Sequence, residues 1–296
     1  MNPDSPSPSP FGPVAAYAAG RADCPVTTQF AGRVAVVTGS TQGLGLATVE
    51  RMLARGLSGA VLCGRNEEAG QAAAERLSSP AAKVLFQRTD LANLDDCAAL
   101  LERAAAAFGT VDLLVNAAGI TDRGGILDAD RDLWERTFAI NARAPFFLLQ
   151  DFANRLIAAG KPGSVVNVAS IMAHGGIPAL TVYASAKAAL VTTGKNAAFS
   201  LARHGIRVNT LTVGWMDTPA EDRTQKNYHD RPDGWQDEAG RELPAGRLLQ
   251  PTEVARWIAH LAGPESGVMT GSVIDFDHGV VGVYDTTPLP APLSEG

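Results

Sequence analysis

The run Val34-Ala-Val-Val-Thr38 passes directly into Gly39-Ser-Thr-Gln-Gly43-Leu-Gly45, and then into a stretch carrying Leu46, Val49 and Met52 on one helical face. A short β-branched run followed by a helical period is a strand feeding a helix, the entry of a βαβ unit. Glycines at the junction remove the Cβ atoms that would keep a bulky group away. Backbone N–H groups and the positive helix end can then meet a pyrophosphate. The spacing departs from G-x-G-x-x-G, so a purely structural bend is also open. The flanking strand and helix favour a dinucleotide held by Gly39, Thr41, Gln42, Gly43, Leu44 and Gly45.

The same alternation continues down the chain. Strands are expected at residues 34–38, 60–63, 83–87, 113–116, 164–169, 207–213 and 273–275, separated by alanine-rich amphipathic stretches. That pattern predicts a single α/β domain over residues 30–280: a Rossmann-like, doubly wound, seven-stranded parallel sheet with helices on both faces. Residues 1–29, rich in proline, serine and alanine, read as a flexible arm, and residues 281–296 as an irregular tail. The polar stretch 215–249 interrupts the rhythm just after a strand end. It is placed either to cover a substrate or to make a subunit contact, and the first is the expectation.

With 25 basic against 31 acidic residues the chain carries a formal charge of −6, which gives no electrostatic reason to bind nucleic acid or an anionic membrane. A small molecule is the expected partner. The three cysteines, Cys24, Cys63 and Cys97, form no C-x-x-C pair, and the histidines show no ligand spacing, so no metal is inferred. The first residues lack a basic segment followed by an apolar one, and no stretch has the length of a membrane span. A cytoplasmic location with reduced thiols is expected.

Where an NAD-binding chain commonly has an acid at the end of its second strand, this one reads Cys63-Gly64-Arg65. Arg65 either pairs with a 2′-phosphate, favouring NADP over NAD, or is a solvated arginine at a helix start. The first is the expectation. Asp90 and Leu91 after the third strand, and Asn116, Ala118 and Gly119 after the fourth, fall at carboxyl ends that line such a cleft, although singly each has the character of a cap or turn.

Tyr183 and Lys187 lie four residues apart on a predicted helix, hence on one face. A neighbouring ammonium is expected to lower the phenol pKa towards the working pH, as a proton-transferring group requires. Ser170, closing the apolar run 165–169, is placed to donate to a substrate oxygen. Asn141 is expected to hold a water or a backbone group in the same network.

Taken together and in order, these motifs resemble the short-chain dehydrogenase/reductase family over roughly residues 31–280. The resemblance implies a catalytic set of Asn141, Ser170, Tyr183 and Lys187, with Lys187 also holding the nicotinamide ribose and Asn141 supporting a proton relay. It implies that Thr218 meets the nicotinamide carboxamide. The family's Pro-Gly after the sixth strand is Val213-Gly214 here, a looser turn. Family members pair through the helices that here contain residues 141–159 and 183–203, so a homo-oligomer, dimer or homotetramer, is implied.

The expected reaction is hydride transfer between NADP, or NAD, and a secondary alcohol or its ketone. His174 and Trp215, with Met216, Tyr228, His229 and Trp235, come from segments expected to overhang the pocket, and their mixed lining suits a sugar, polyol or cyclic alcohol. General ketone, steroid or 3-oxoacyl reduction are alternatives. In the insertion Arg223, Lys226 and Arg231 are offset by Glu221, Asp222, Asp230 and Asp233, which disfavours an acidic carrier. A nucleotide sensor without turnover is a further alternative, and it would need none of Ser170, Tyr183 and Lys187.

Overall fold

A computed structural model describes residues 26–281. Seven strands form one parallel sheet: β1 (Val34–Val37), β2 (Gly59–Gly64), β3 (Lys83–Arg88), β4 (Leu113–Asn116), β5 (Gly163–Ser170), β6 (Ile206–Val213) and β7 (Val273–Phe276), in the spatial order β3-β2-β1-β4-β5-β6-β7. Every strand expected from the sequence is present, with ends shifted by at most one residue. Strand periodicity sends Ala35, Val37, Ala60 and Leu62 to one face, and Val34, Val36, Val61 and Cys63 to the other. Both faces are covered, which is why the strands read as nearly continuous apolar runs.

On the first face lie α1 (Gly43–Leu53), α2 (Glu67–Leu77) and α9 (Pro251–Ala262). On the second lie α3 (Leu94–Phe108), α5 (Ala144–Ala158) and α6 (Thr181–Leu201). A shorter helix, α4 (Arg131–Phe138), runs into α5 through a π-helical turn at Ala139–Arg143. The segment expected as an insertion after the sixth strand folds into α7 (Pro219–His229) and α8 (Trp235–Arg241). Thr218 caps α7, its Oγ1 accepting from Glu221 N at 3.1 Å, and Pro219 opens the helix.

Residues 26–28 form a short 3₁₀ turn, Gln29 is buried, and Phe30 inserts into the core with Leu57 and Ala262. Phenylalanine burial thus anchors the chain just ahead of β1. Most of the arm, with Cys24, and nearly all of the tail fall outside the described residues. Strand order reverses between β1 and β4, so the loops leaving these two strands open a crevice at the carboxyl edge of the sheet.

Candidate active site

The crevice is a cleft of about 1330 Å³, and the glycine turn after β1 forms part of its floor. Gly39 and Gly43 adopt φ values of 65° and 56°, in the left-handed region that favours glycine. A Cβ on Gly45 would stand 2.5 Å from the carbonyl oxygen of Gly39. Gln42, the N-cap of helix α1, makes no side-chain cap, so the helix's first N–H groups are not satisfied by its own capping residue. Thr41, Gln42 and Leu44 line the same wall. Gly45→Ala is therefore expected to cost about 1–3 kcal/mol of stability through overpacking against backbone, and to weaken nicotinamide nucleotide binding. Urea unfolding and nicotinamide fluorescence check the two effects separately.

Two polar clamps fix this turn. Thr38 Oγ1 accepts from Ala117 N at 3.0 Å and Ala118 N at 3.1 Å, fastening the loop after β4 to the end of β1. Ser40 Oγ donates to Val37 O at 2.6 Å and accepts from Cys63 N at 3.1 Å, fastening the turn to β2. The sequence reading assigned neither hydroxyl a role. Both sit inside the glycine motif, Thr38 between the strand and Gly39 and Ser40 between Gly39 and Gly43.

Along the second wall, Arg65 projects from the end of β2 as an exposed residue beside Asn66, whose Oδ1 caps α2 by accepting from Ala69 N at 3.0 Å. Asp90 and Leu91 follow β3, and Asp90 Oδ1 accepts from Ala92 N at 3.0 Å. Ala118 and Gly119 line the cleft as expected. Asn116 does not. It is fully buried within β4, and its Nδ2 donates to Asn167 Oδ1 on β5 at 2.9 Å. The last strand residue points into the sheet layer, so its amide braces β4 against β5 instead of facing the cleft.

Ser170, Tyr183 and Lys187 line the far end of the same cleft. Ser170 closes β5, and its Oγ accepts from Met172 N at 3.2 Å, which leaves the O–H to be donated. Tyr183 and Lys187 occupy one face of α6, and the Lys187 Nζ donates to Val168 O at 2.9 Å. Asn141 lies in the π-helical turn, fully buried. Its Nδ2 donates to Ile120 O at 2.9 Å and its Oδ1 accepts from Ile120 N at 3.0 Å. The backbone group it holds is thus that of Ile120. Gly119 completes the cluster: a Cβ there would stand 3.1 Å from Asn141 Oδ1 and 3.2 Å from Lys187 Nζ.

The electrostatics differ from the expectation that Lys187 brings the phenol towards neutrality. Burial pushes Tyr183 up to about 12, opposed chiefly by the Ser170 hydroxyl. Burial also brings Lys187 down to about 8. Desolvation acts on both groups, and it outweighs the attraction expected between them. Burial likewise pushes Cys63 up to about 12 and Cys97 to about 11, so neither thiol is a nucleophile near neutral pH.

Over the cleft lies the segment after β6. Gly214 packs its Cα side against the Asp277 carboxylate, an acid that also lines the cleft and that the sequence reading passed over. Thr218 packs beside Gly43, a Cβ on which would lie 3.6 Å from Thr218 Cβ. Trp215, Met216 and His229 face the cleft. Trp235 is fully buried behind it, stacked on Trp215 at 5.4 Å and donating from Nε1 to Asp222 Oδ1 at 3.0 Å, while Tyr228 stands outside the lining. His174 is also outside. Its Nε2 is 2.9 Å from Asp275 Oδ1 on the edge strand β7, so the carboxylate holds the ring away from the substrate end.

A family model described as enoyl-(acyl carrier protein) reductase matches residues 39–281. Sorbitol dehydrogenase of Cereibacter sphaeroides is 32% identical over 84% of this chain and 97% of its own length. Cis-4-hydroxycyclohexanecarboxylate dehydrogenase of Sinomonas cyclohexanicum is 34% identical over 86% and 98%. A solved structure titled as a short chain dehydrogenase/reductase family protein superposes with a TM-score of 0.73 at 32% identity, covering 85% of this chain and 98% of the other. An open parallel sheet with a glycine turn at its switch point and a serine, tyrosine and lysine at the far end defines a nucleotide-dependent oxidoreductase. The chain belongs to the short-chain dehydrogenase/reductase family and is an NAD(P)-dependent enzyme acting on CH–OH groups.

Proposed function

We propose that the protein interconverts a secondary alcohol and its ketone, the substrate being a sugar, polyol or cyclic alcohol. The observation that carries this is the placement of Ser170, Tyr183 and Lys187 in one cleft with the open glycine floor. The residues present fit a dinucleotide. Gly39, Gly43 and Gly45 leave a cradle that Cβ atoms would fill, and the start of α1 meets it without a side-chain cap. Thr41, Gln42, Leu44, Arg65, Asp90, Leu91, Ala118 and Gly119 would hold the adenosine and pyrophosphate portions, and Lys187, Gly214 and Thr218 the nicotinamide end. When bound, the cofactor supplies or accepts the hydride.

Tyr183 keeps its proton through the neutral range and is therefore set to deliver it to a carbonyl oxygen. Ser170 donates to that same oxygen as negative charge builds there. Lys187 changes charge near pH 8 and is the group that refills the phenol, with Asn141 and the Ile120 backbone ordering the path behind it. Assay of both coenzymes against sorbitol, simple cyclic alcohols and cis-4-hydroxycyclohexanecarboxylate tests the reading. Absence of turnover across such a panel, with cofactor bound, would favour a nucleotide sensor.

NADP is the proposed preference, through Arg65. Arg65→Ala is expected to weaken NADPH binding ~10- to 100-fold, the loss of a charge-assisted contact, and to leave NADH nearly unaffected. Fluorescence titration with the two nucleotides checks this, and equal loss for both would remove Arg65 from phosphate recognition. We also propose self-association through α5 and α6, where Phe146, Phe147 and Phe199 stand exposed. Among the described residues no helix is long and apolar enough to cross a membrane.

A further inference from the structure

The geometry points to Arg123 as the residue that selects a substrate bearing a carboxylate, an inference that rests on the oxidoreductase reading of the same cleft. Arg123 sits in the loop between β4 and α4, half-buried, and lines the cleft together with Ser170 and Tyr183. The loop is anchored to the 3₁₀ turn just before the catalytic helix, Gly124 N donating to Ala179 O at 2.8 Å, so the guanidinium has a fixed base near Tyr183. Its charge reaches that phenol and favours the phenolate form, against the opposing charge of Glu221.

Among the described residues no acid forms an ion pair with it. Asp122, its sequence neighbour, pairs with Arg136 at 3.1 Å. Glu221, the carboxylate on α7 that lines the cleft, has one oxygen taken by Trp215 Nε1 at 2.8 Å and Gln225 Nε2 at 2.7 Å. What Arg123 does touch bears no negative charge: the guanidinium lies over the Tyr228 ring at 5.7 Å from its centroid, Nη1 donates to Thr121 O at 2.7 Å, and Nε and Nη2 approach His229 Nε2 at 3.2 and 3.0 Å. To accept from both, that ring nitrogen carries no proton. A guanidinium has five N–H donors, and these three contacts leave one on each terminal nitrogen available. A cation lining a largely apolar, open cleft, with N–H groups to spare, is suited to a compact planar anion.

The covering segment sends several of its charges away from the cleft. Asp222 and Asp233 are engaged by Lys226 at 2.9 and 2.7 Å, and none of the three lines the cleft. Arg223 and Arg231 do line it, Arg231 paired with Glu238 at 3.2 Å, and Glu221 faces them from the same segment. Arg123 is the cleft-lining cation whose remaining N–H groups face the substrate end. The substrate end accordingly takes a hydroxy or oxo acid, its carboxylate on Arg123 and its reacting carbon beside Tyr183.

Calorimetric titration of the NAD(P)-saturated protein with cyclohexanecarboxylate and hexanoate, each against its uncharged amide, tests this. The acids are expected to bind ~10- to 100-fold more tightly, as for a charge-assisted contact. That preference should disappear in Arg123→Met and persist in Arg123→Lys. It should also persist in His229→Gln, which removes the histidine strap but keeps the guanidinium. Equal affinity for acid and amide, or a preference that survives Arg123→Met, overturns the inference. Failure of either nucleotide to bind in the first step would instead strike the oxidoreductase reading.

Discussion

Tyr183→Phe is expected to lower turnover ~10²- to 10⁴-fold, the usual contribution of a positioned general acid or base, while nicotinamide nucleotide binding stays essentially unchanged. The ring is buried and its removal is not at issue; only the O–H is lost. Ser170 remains to hold the substrate oxygen, and the glycine floor is remote from the change. Steady-state kinetics with the best substrate of the panel, set beside nucleotide fluorescence titration, separates chemistry from binding. A mutant that keeps its turnover would remove Tyr183 from proton transfer and leave Ser170 and Lys187 without a partner to serve.

The second large effect concerns stability. Lys187 falls from an unfolded value of 10.5 to about 8 in the folded chain because burial disfavours its charge. Below about pH 8 both states hold the proton, and the native state carries the cost of a buried ammonium. Between about 8 and 10.5 the unfolded chain still binds a proton that the native chain has released, so stability rises with pH. Relative to Lys187→Met, the wild type should gain about 2 kcal/mol between pH 8 and 10. The window stops short of the Tyr183 titration, since that phenol is raised to about 12 when folded and opposes stability only above its unfolded value near 10. Urea unfolding of cofactor-free protein at the two pH values measures the difference. Parallel curves for the two proteins would mean that Lys187 is not desolvated in solution.

The strands were legible because a doubly covered sheet needs apolar residues on both faces, and such runs stand out even in one sequence. Gly39, Gly43 and Gly45 were legible for a related reason, since close approach and positive φ leave few other choices. What escaped depends on where a side chain points. Asn116 ends a strand at the cleft, but pleating turns it towards Asn167. His174 follows Ser170 closely in sequence and is nonetheless captured by Asp275, a residue 101 positions away. A count of the charges of residues 215–249 ignores direction; Lys226 takes Asp222 and Asp233 to the outside, while Glu221, Arg223 and Arg231 face in. The phenol's environment was misjudged for a similar reason, because spacing reveals a neighbouring ammonium but not how little water reaches either group.

The π-helical turn at Ala139–Arg143 has a bearing on how this enzyme can be altered. A wider turn accommodates one more residue than an α-helix would, so the buried stripe of α4 and that of α5 are out of phase, and the chain from Arg131 to Ala158 cannot be treated as one amphipathic rod. Removing a single residue there would yield a smoother helix by any propensity scale. It would also rotate Asn141 by about 100° relative to whichever side stays fixed, away from the Ile120 backbone it grips from both ends. Grafts and loop exchanges drawn from related enzymes therefore have to carry that irregular turn intact.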